Sequence, residues 1–182
     1  MGKRSDFERI PKDFYPTWDP NAIPKTFTDL IRGKRYAEPC CGEGDLVDLL
    51  TEFAVCRWES DIVDRGAGIL YDGTCLTKEN LKGCDLIITN PPYKRDILLP
   101  LIDHFTSLKP TWLLLPADFM HNKYFSPYMR TCEIVVSIGR LKWIRDSKHT
   151  STENYCWYGW PKVYDWSEGA NPITTYFLPR EP

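Results

Sequence analysis

The segment Asp85-Leu86-Ile87-Ile88-Thr89-Asn90-Pro91-Pro92-Tyr93 decides the fold, because a short apolar run ends abruptly in a proline-rich turn. The run predicts a strand that is buried on both faces, which is typical of a parallel sheet. Pro91 and Pro92 fix two φ angles and withhold two N–H donors, so the turn is stiff. The Asn90 side-chain oxygen and the Pro91 carbonyl can together accept both hydrogens of a planar –NH2 group, and Tyr93 offers a flat ring for stacking.

Similar apolar runs lie on both sides of this segment. They predict strands at 36–37, 54–58, 69–71, 85–89 and 111–115, amphipathic helices at 45–53 and 97–108, and a helix at 21–32 with Asp19 as its N-cap and Pro20 at its first position. After Tyr124, strand-like runs at 133–138, 140–144, 155–160 and 173–178 follow without convincing helices between them. The pattern predicts an α/β fold with a mostly parallel sheet and an antiparallel hairpin at one edge.

Length and composition favour one ordinary domain spanning residues 1–182. The chain is 42% hydrophobic and carries 23 Lys+Arg against 25 Asp+Glu, so its net charge of −2 does not specify a partner. The sequence has no apolar run long enough for a membrane span and no apolar region behind its basic start, which favours a cytoplasmic protein. Seven cysteines without CxxC or zinc-finger spacing predict reduced thiols and no metal site.

A glycine turn follows the first predicted strand, at residues 36–45 (Tyr-Ala-Glu-Pro-Cys-Cys-Gly-Glu-Gly-Asp). Glycines at the carboxyl end of a parallel strand let the backbone approach a nucleotide-like cofactor without a Cβ in the way. The third glycine of the dinucleotide fingerprint is absent after Gly44, so that class of cofactor is not expected. A plain β–α turn explains this segment alone equally well.

Three acidic residues follow the next two predicted strands. Glu59, with Asp61 two residues on, lies about 20 residues beyond the glycine turn, where a carboxylate accepts hydrogen bonds from ribose hydroxyls. Asp72, before Gly73, is placed to accept a bond from an adenine amino group. Solvated acids and an ordinary β-turn are the competing interpretations of these residues.

Residues 90–93 resemble the catalytic (D/N/S)-P-P-(Y/F/W) motif of class I S-adenosylmethionine (SAM)-dependent amino methyltransferases, specifically the N6-adenine DNA methyltransferases. Residues 38–44 look like the SAM loop of that family, and residues 13–17 are similar to its N-terminal segment, which packs on the methionine end of SAM. The resemblance covers roughly residues 13–160 in the gamma motif order. It implies a Rossmann-like class I methyltransferase fold with a mostly parallel seven-stranded sheet.

The resemblance also implies the site residues and the partner. The implied catalytic residues are Asn90, Pro91, Pro92 and Tyr93, and the implied cofactor-binding residues are Tyr15, Pro16, Thr17, Glu38, Pro39, Cys40, Gly42, Gly44, Glu59, Asp61, Asp72, Gly73 and Asn90. The implied partner is adenine-containing DNA, single- or double-stranded. Small stand-alone enzymes of this kind are similar to phage or prophage methyltransferases, which implies a phage or bacterial host cytoplasm.

Two features depart from the family pattern. Trp18 and Asp19 stand where a proline usually follows Thr17, and Cys40-Cys41 replaces more common small or acidic residues. Only about 90 residues follow Tyr93, and the sheet needs them, so we expect no separate target-recognition domain. Low sequence selectivity or a very short target is therefore expected.

Basic residues provide candidates for nucleic-acid contact. These candidates are Lys94 and Arg95 beside the proline turn, and Lys142, Arg145, Lys148 and His149 further along the chain. Solvated basic loops are the competing interpretation of these residues. Asn-Pro-Pro-Tyr also occurs in methyltransferases that act on RNA guanine or on the glutamine of release factors. An accessory protein that binds SAM or nucleic acid without turnover is a third reading.

Overall fold

The computed structural model describes residues 14–163 and 174–180, which form one sheet with helices on both faces. The strands are β1 (Arg35–Glu38), β2 (Val55–Asp61), β3 (Ile69–Leu70), β4 (Leu86–Thr89), β5 (Thr111–Pro116), β6 (Ile134–Gly139), β7 (Tyr155–Trp160) and β8 (Tyr176–Leu178). The α-helices are α1 (Lys25–Ile31), α2 (Asp45–Leu50), α3 (Arg95–Leu108) and α4 (Ser126–Met129).

The strands lie in the order β3-β2-β1-β4-β5-β7-β6-β8. Strands β1 to β5 pair in parallel, β7 is antiparallel to both β5 and β6, and β8 pairs in parallel with β6. The predicted parallel sheet with an antiparallel edge is therefore confirmed. The described residues contain eight strands rather than the seven expected, because β8 adds a short strand beyond β6.

Two sequence predictions about elements are wrong in part. The predicted strand at 140–144 does not form: β6 ends at Gly139, and the next residues bond elsewhere, with the Lys142 amide donating to Asp19 Oδ2 (2.8 Å). The predicted helix at 21–32 is interrupted by Pro24, which cannot donate a helical hydrogen bond. A 3-10 turn at Pro20–Ala22, capped by Asp19 as predicted, precedes α1.

The central strands are buried on both faces, as the apolar run at 86–89 predicts. Alternate side chains enter opposite halves of the core. Ile87 and Leu113 face the half that contains α3, whereas Ile88 and Leu114 face the half that contains α1 and α2. In the part of the chain that the structure describes, no helix combines the length and apolar character that crossing a bilayer requires.

The strand order reverses between β1 and β4, since β2 and β3 lie on one side of this pair and β5 on the other. In open α/β sheets the crevice for ligands lies outside the carboxyl ends of the strands at such a point. The glycine turn follows β1 and the proline turn follows β4, so the topology brings both motifs to this crevice.

Candidate active site

A cavity of about 270 Å³ lies at the carboxyl edge of the sheet, beside the ends of β1, β2 and β4. Its polar wall contains Glu38, Asp45, Asp61, Asp72 and Asn90. Apolar side chains from α3, Ile97 and Leu101, line it together with Pro92. The cavity therefore joins the two sequence motifs in one space.

The glycine turn closes tightly against the N-terminal segment. Gly42 has a φ of +58°, and a Cβ added there would lie 2.6 Å from Cε2 of Phe14. The Arg65 guanidinium packs over the Phe14 ring, with its central carbon 3.8 Å from the ring centroid. Glycine is strongly favoured at position 42, because a side chain there would both strain the left-handed backbone and displace the Phe14 ring.

The structure places Asp61, rather than Glu59, at the cavity. Asp61 ends β2, and its carboxylate accepts hydrogen bonds from the amides of Gly42 (3.0 Å) and Val63 (2.9 Å). Glu59 pairs with Glu38 in the β1–β2 register and is not among the residues that line the cavity. Both acids were predicted to contact the cofactor, and the structure brings only Asp61 to the cavity wall; a cofactor contact by Glu59 stays a prediction.

Glu38 is fully buried at the end of β1. Burial raises the pKa of its carboxyl group to about 8, and the nearby Asp61 and Glu59 carboxylates add to the rise. Its Oε1 accepts a hydrogen bond from the Cys40 amide (3.1 Å), and the Thr89 hydroxyl lies near the carboxyl group and offsets part of the rise in pKa, although it makes no hydrogen bond of normal geometry with Oε2. Glu38 also lines the cavity, so its carboxyl group is placed beside any polar ligand bound there.

Asp72 caps the 3-10 turn at Gly73–Cys75. Its Oδ1 accepts hydrogen bonds from both the amide (2.9 Å) and the hydroxyl (2.7 Å) of Thr74. This is the β-turn-like arrangement that the sequence left open. Asp72, Gly73 and Thr74 nevertheless all line the cavity, so the capping role and a ligand-contacting role coexist.

The Asn90 side chain is held from three directions. Its Nδ2 donates to the carbonyl oxygen of Tyr15 (3.1 Å) and to Oγ1 of Thr17 (2.9 Å), and its Oδ1 accepts from the hydroxyl of Tyr93 (2.7 Å). Because a backbone carbonyl can only accept, the amide atom that faces Tyr15 must be the nitrogen. The orientation of the amide is thereby determined by chemistry.

The Tyr93 ring packs inward. It lies against Phe119 (ring centroids 6.1 Å apart) and Tyr155 (6.2 Å), and it contacts both halves of the core. Burial raises the pKa of its hydroxyl well above the ordinary value, so this group is a neutral donor. Sequence reasoning missed the contact between the hydroxyl and Asn90, because a spacing of three residues in a turn does not reveal it.

Most of the predicted cofactor residues come together at the cavity. Those that line it are Tyr15, Pro16, Thr17, Glu38, Pro39, Cys40, Gly42, Asp61, Asp72, Gly73 and Asn90. Gly44 does not, because it lies one step further on as the N-cap of α2. Of the predicted catalytic residues, Asn90 and Pro92 line the cavity, whereas Pro91 and Tyr93 do not.

Arg65 was missed by sequence reasoning. It lies in the loop after β2 and lines the cavity next to Phe14, with its Nε buried and unpartnered among the described residues. No sequence signal marks it, since a single arginine in a loop is ordinarily solvated. Asp13, the first residue of the predicted N-terminal segment, lies outside the described residues.

The basic residues beside the proline turn are already engaged. Lys94 forms an ion pair with Asp96, with 2.7 Å between Nζ and Oδ2. The Arg95 guanidinium lies over the ring of Tyr124, 4.6 Å from its centroid. Both side chains lie at the start of α3 and remain exposed, four and five residues after Asn90 in the chain.

The second basic cluster lies in the loop between β6 and β7. Arg145 pairs with Asp45 of α2 and lies over the ring of Trp18, so it joins the loop to the cavity wall. Lys142 is half-buried, whereas Lys148 and His149 are exposed. The structure therefore separates Arg145, which is engaged within the protein, from the two residues that face outward.

Within the described ranges, no group of three or more His, Cys, Asp or Glu side chains could hold a metal ion. The seven cysteines are free thiols. Burial raises the pKa of the Cys40 thiol well above its ordinary value and that of Cys41 to about 12, so neither is a thiolate at neutral pH.

No protein-family model and no curated protein matches the chain. Solved structures do match. A type I restriction-modification methyltransferase subunit from Streptococcus thermophilus is 10% identical with a TM-score of 0.53, over 82% of this chain and 45% of that one. A dimethyladenosine transferase from Plasmodium falciparum is 17% identical with a TM-score of 0.52, over 78% and 59%.

A third match is the E. cuniculi Mtq2–Trm112 complex, responsible for methylation of the eRF1 translation termination factor. It is 16% identical with a TM-score of 0.52, over 82% of this chain and 98% of the matched one. The chain spans about half the length of the restriction-modification subunit. At these identities the likeness establishes the fold, which is the Rossmann-like class I methyltransferase fold, and not the substrate.

Proposed function

We propose that this protein is a SAM-dependent methyltransferase that methylates the exocyclic N6 amine of adenine in DNA. The carrying observation is the Asn90 amide, which is held by Tyr15 and Thr17 at the carboxyl end of β4 with its oxygen directed away from them. The same proposal treats residues 1–182 as one catalytic domain, with a short or loosely specified target.

The cavity suits SAM. Four carboxyl groups and one guanidinium line it. Glu38 is protonated at neutral pH and Asp45 is paired with Arg145. Asp61 and Asp72 against Arg65 therefore leave a balance that favours a cationic ligand over a phosphate-bearing one. Asp61 at the end of β2 would accept bonds from ribose hydroxyls, and the Glu38 carboxyl group would accept one from the ammonium end. When bound, SAM supplies an electrophilic methyl group on a positively charged sulfur.

The chain's own groups would then act on the amine. An exocyclic adenine amine is a poor nucleophile because its lone pair is conjugated into the ring. Hydrogen bonds from both amine hydrogens to Asn90 Oδ1 and the Pro91 carbonyl favour a pyramidal nitrogen, with the lone pair directed toward the methyl group. Catalysis would come mainly from alignment and fixed dipoles, and the proton would leave to solvent after transfer.

Aromatic rings near Asn90 favour a nucleobase over a flexible amide side chain. Tyr93 lies beside Phe119, and Tyr15 lies 6.1 Å from Trp143, measured between ring centroids. Flat rings stack on any base, at about 1–3 kcal/mol for each contact. DNA rather than RNA is favoured by the motif resemblance alone, so the experiment must separate the two.

The test is mass spectrometry after incubation with SAM and, in separate reactions, DNA, RNA and a glutamine-containing peptide, with nucleosides analysed for the nucleic acids and the intact mass for the peptide. We expect N6-methyladenine in DNA, lost with Asn90→Ala and retained with Asn122→Ala, a half-buried asparagine elsewhere. If only RNA or only the peptide is methylated, the proposed DNA substrate is wrong and the methylated molecule takes its place. SAM binding without transfer to any of them would favour the accessory role.

A further inference from the structure

The N-terminal segment holds the Asn90 amide in one orientation. Tyr15 contributes a backbone carbonyl and Thr17 a side-chain hydroxyl, and both accept hydrogen bonds from Asn90 Nδ2. These two contacts span more than 70 residues of sequence. An amide with both N–H groups engaged cannot rotate by 180° without losing both bonds, so its oxygen stays on the opposite side.

We propose that Thr17 is a positioning residue, whose hydroxyl fixes the Asn90 amide with Oδ1 turned toward the target amine. This inference rests on the proposed function and adds a role for the N-terminal segment. The sequence resemblance assigns this segment only to packing against the cofactor. Of the two holders, Thr17 is the one that a substitution can remove, because the Tyr15 contact is made by backbone.

The segment that carries Thr17 is itself anchored. Trp18 Nε1 donates to the Trp143 carbonyl (3.2 Å), and Asp19 Oδ2 accepts from the Lys142 amide (2.8 Å). Thr17 and Asp19 are buried, with 4% and 5% of their surfaces exposed. The loop between β6 and β7 therefore fixes the holder of the amide, so the amide is preorganised before any ligand binds.

The arrangement also explains the choice of Asn over Asp at position 90. A carboxylate there would place an oxygen against the Tyr15 carbonyl, which cannot donate. Only a group with two N–H donors on one side and an acceptor on the other satisfies Tyr15, Thr17 and the Tyr93 hydroxyl together. The acceptor and its holders therefore form one unit.

The first test compares Thr17→Val, which keeps the shape and removes the hydroxyl, with Thr17→Ser, which restores it. Thr28→Val is the matched control, since Thr28 is also buried and makes one hydrogen bond, to Lys25 in α1. We expect Thr17→Val to lower kcat for adenine methylation about tenfold or more, with the Kd for SAM within about threefold of wild type. Thr17→Ser and Thr28→Val should keep kcat within about threefold.

A second measurement does not depend on activity. In a 15N–1H spectrum of the unliganded protein, the Asn90 side-chain NH2 pair, identified by its loss in Asn90→Ala, should exchange slowly with water. Thr17→Val should accelerate that exchange, and Thr17→Ser should not.

The outcomes separate the inference from the proposed function. If Thr17→Val raises the Kd for SAM with kcat unchanged, Thr17 is only a cofactor contact and the inference is overturned. Rapid exchange of the Asn90 NH2 in wild type would also overturn it. If wild type methylates no adenine, the proposed function fails, and the catalytic part of the inference fails with it.

Discussion

The hydroxyl of Tyr93 donates to Oδ1 of Asn90 across 2.7 Å. This is the oxygen that would accept a hydrogen of the target amine. A carbonyl-type oxygen has two lone pairs, and Tyr93 occupies one of them in the unliganded site. The hydroxyl therefore shares the oxygen that a substrate donor would use, and its ring packs against Phe119 and Tyr155.

Replacing Tyr93 with Phe should tighten nucleic-acid binding. The substitution keeps the ring and removes a donor that competes for Asn90 Oδ1, and a typical net hydrogen bond is worth about 0.5–1.5 kcal/mol. We expect the KM for the DNA substrate to fall about two- to tenfold, with kcat little changed. Steady-state kinetics with a labelled methyl donor measures both.

Tyr93→Ala provides the contrast, because it removes the ring as well. It should weaken nucleic-acid binding by roughly 1–3 kcal/mol if the ring stacks on a base. It should also lower the free energy of unfolding, since the ring contacts both halves of the core. Equal damage in Tyr93→Phe and Tyr93→Ala would show that the hydroxyl takes part in the reaction.

The two acids of β2 should differ sharply in SAM binding. Asp61 lines the cavity and Glu59 does not, so Asp61→Asn should weaken SAM binding about tenfold or more, whereas Glu59→Gln should stay within about threefold. Both substitutions remove one charge and keep the shape. Calorimetric titration measures the difference, and a larger loss in Glu59→Gln would place the cofactor elsewhere.

Most strands were predictable from sequence, because apolar runs reveal which segments are buried. The apolar run before Asn90 and the run at 111–115 sit within one residue of β4 and β5. The carboxyl end of β2 was misjudged, because residues 59–61 are polar and become strand only by pairing with β1 and the short β3. The sequence therefore named both Glu59 and Asp61 as cofactor acids and could not say which of them lies at the carboxyl end of the strand.

Contacts between distant segments were beyond sequence reasoning. The failure of 140–144 to form a strand follows from its bonds to the N-terminal segment, such as Lys142 to Asp19. The holding of Asn90 by Thr17 has the same origin. The hydrophobic pattern of a segment shows which face of its helix or strand is apolar. It does not show which loops from distant parts of the chain come into contact.

A side chain at position 42 should displace the N-terminal segment. Gly42→Ala adds a Cβ 2.6 Å from the Phe14 ring at a φ of +58°, whereas Gly33→Ala meets no atom within 4 Å at a φ of +71°. The second substitution therefore reports the cost of backbone strain alone. We expect Gly42→Ala to weaken SAM binding at least tenfold and Gly33→Ala to leave it unchanged, as measured by calorimetry. Equal affinities in the two variants would contradict the packing of Phe14 on this turn.

Stability should depend on the proton of Glu38. Burial raises its pKa to about 8 from an ordinary 4.5, so between these values the folded protein keeps a proton that the unfolded chain has released. The contribution of this proton to the free energy of unfolding is complete below about pH 4.5 and is lost as pH rises through 8. Within this window, wild type should lose stability relative to Glu38→Gln by up to about 1.4 kcal/mol per pH unit. Urea unfolding of both proteins at pH 5.5 and 7.5 gives the change in the free energy of unfolding with pH. The same change in wild type and Glu38→Gln would contradict the prediction.

Binding of a cationic ligand should reverse this preference. Without a ligand, burial favours the protonated form of Glu38. A positive charge bound nearby favours the carboxylate instead. SAM binding at pH 7 should therefore release a proton from Glu38, and affinity should increase with pH toward 8. Calorimetry in phosphate and in Tris, whose ionisation enthalpies differ, should give different apparent binding enthalpies for wild type and equal ones for Glu38→Gln. If proton release persists in Glu38→Gln, another group loses the proton. The inference that Glu38 ionises when a cationic ligand binds would then be wrong.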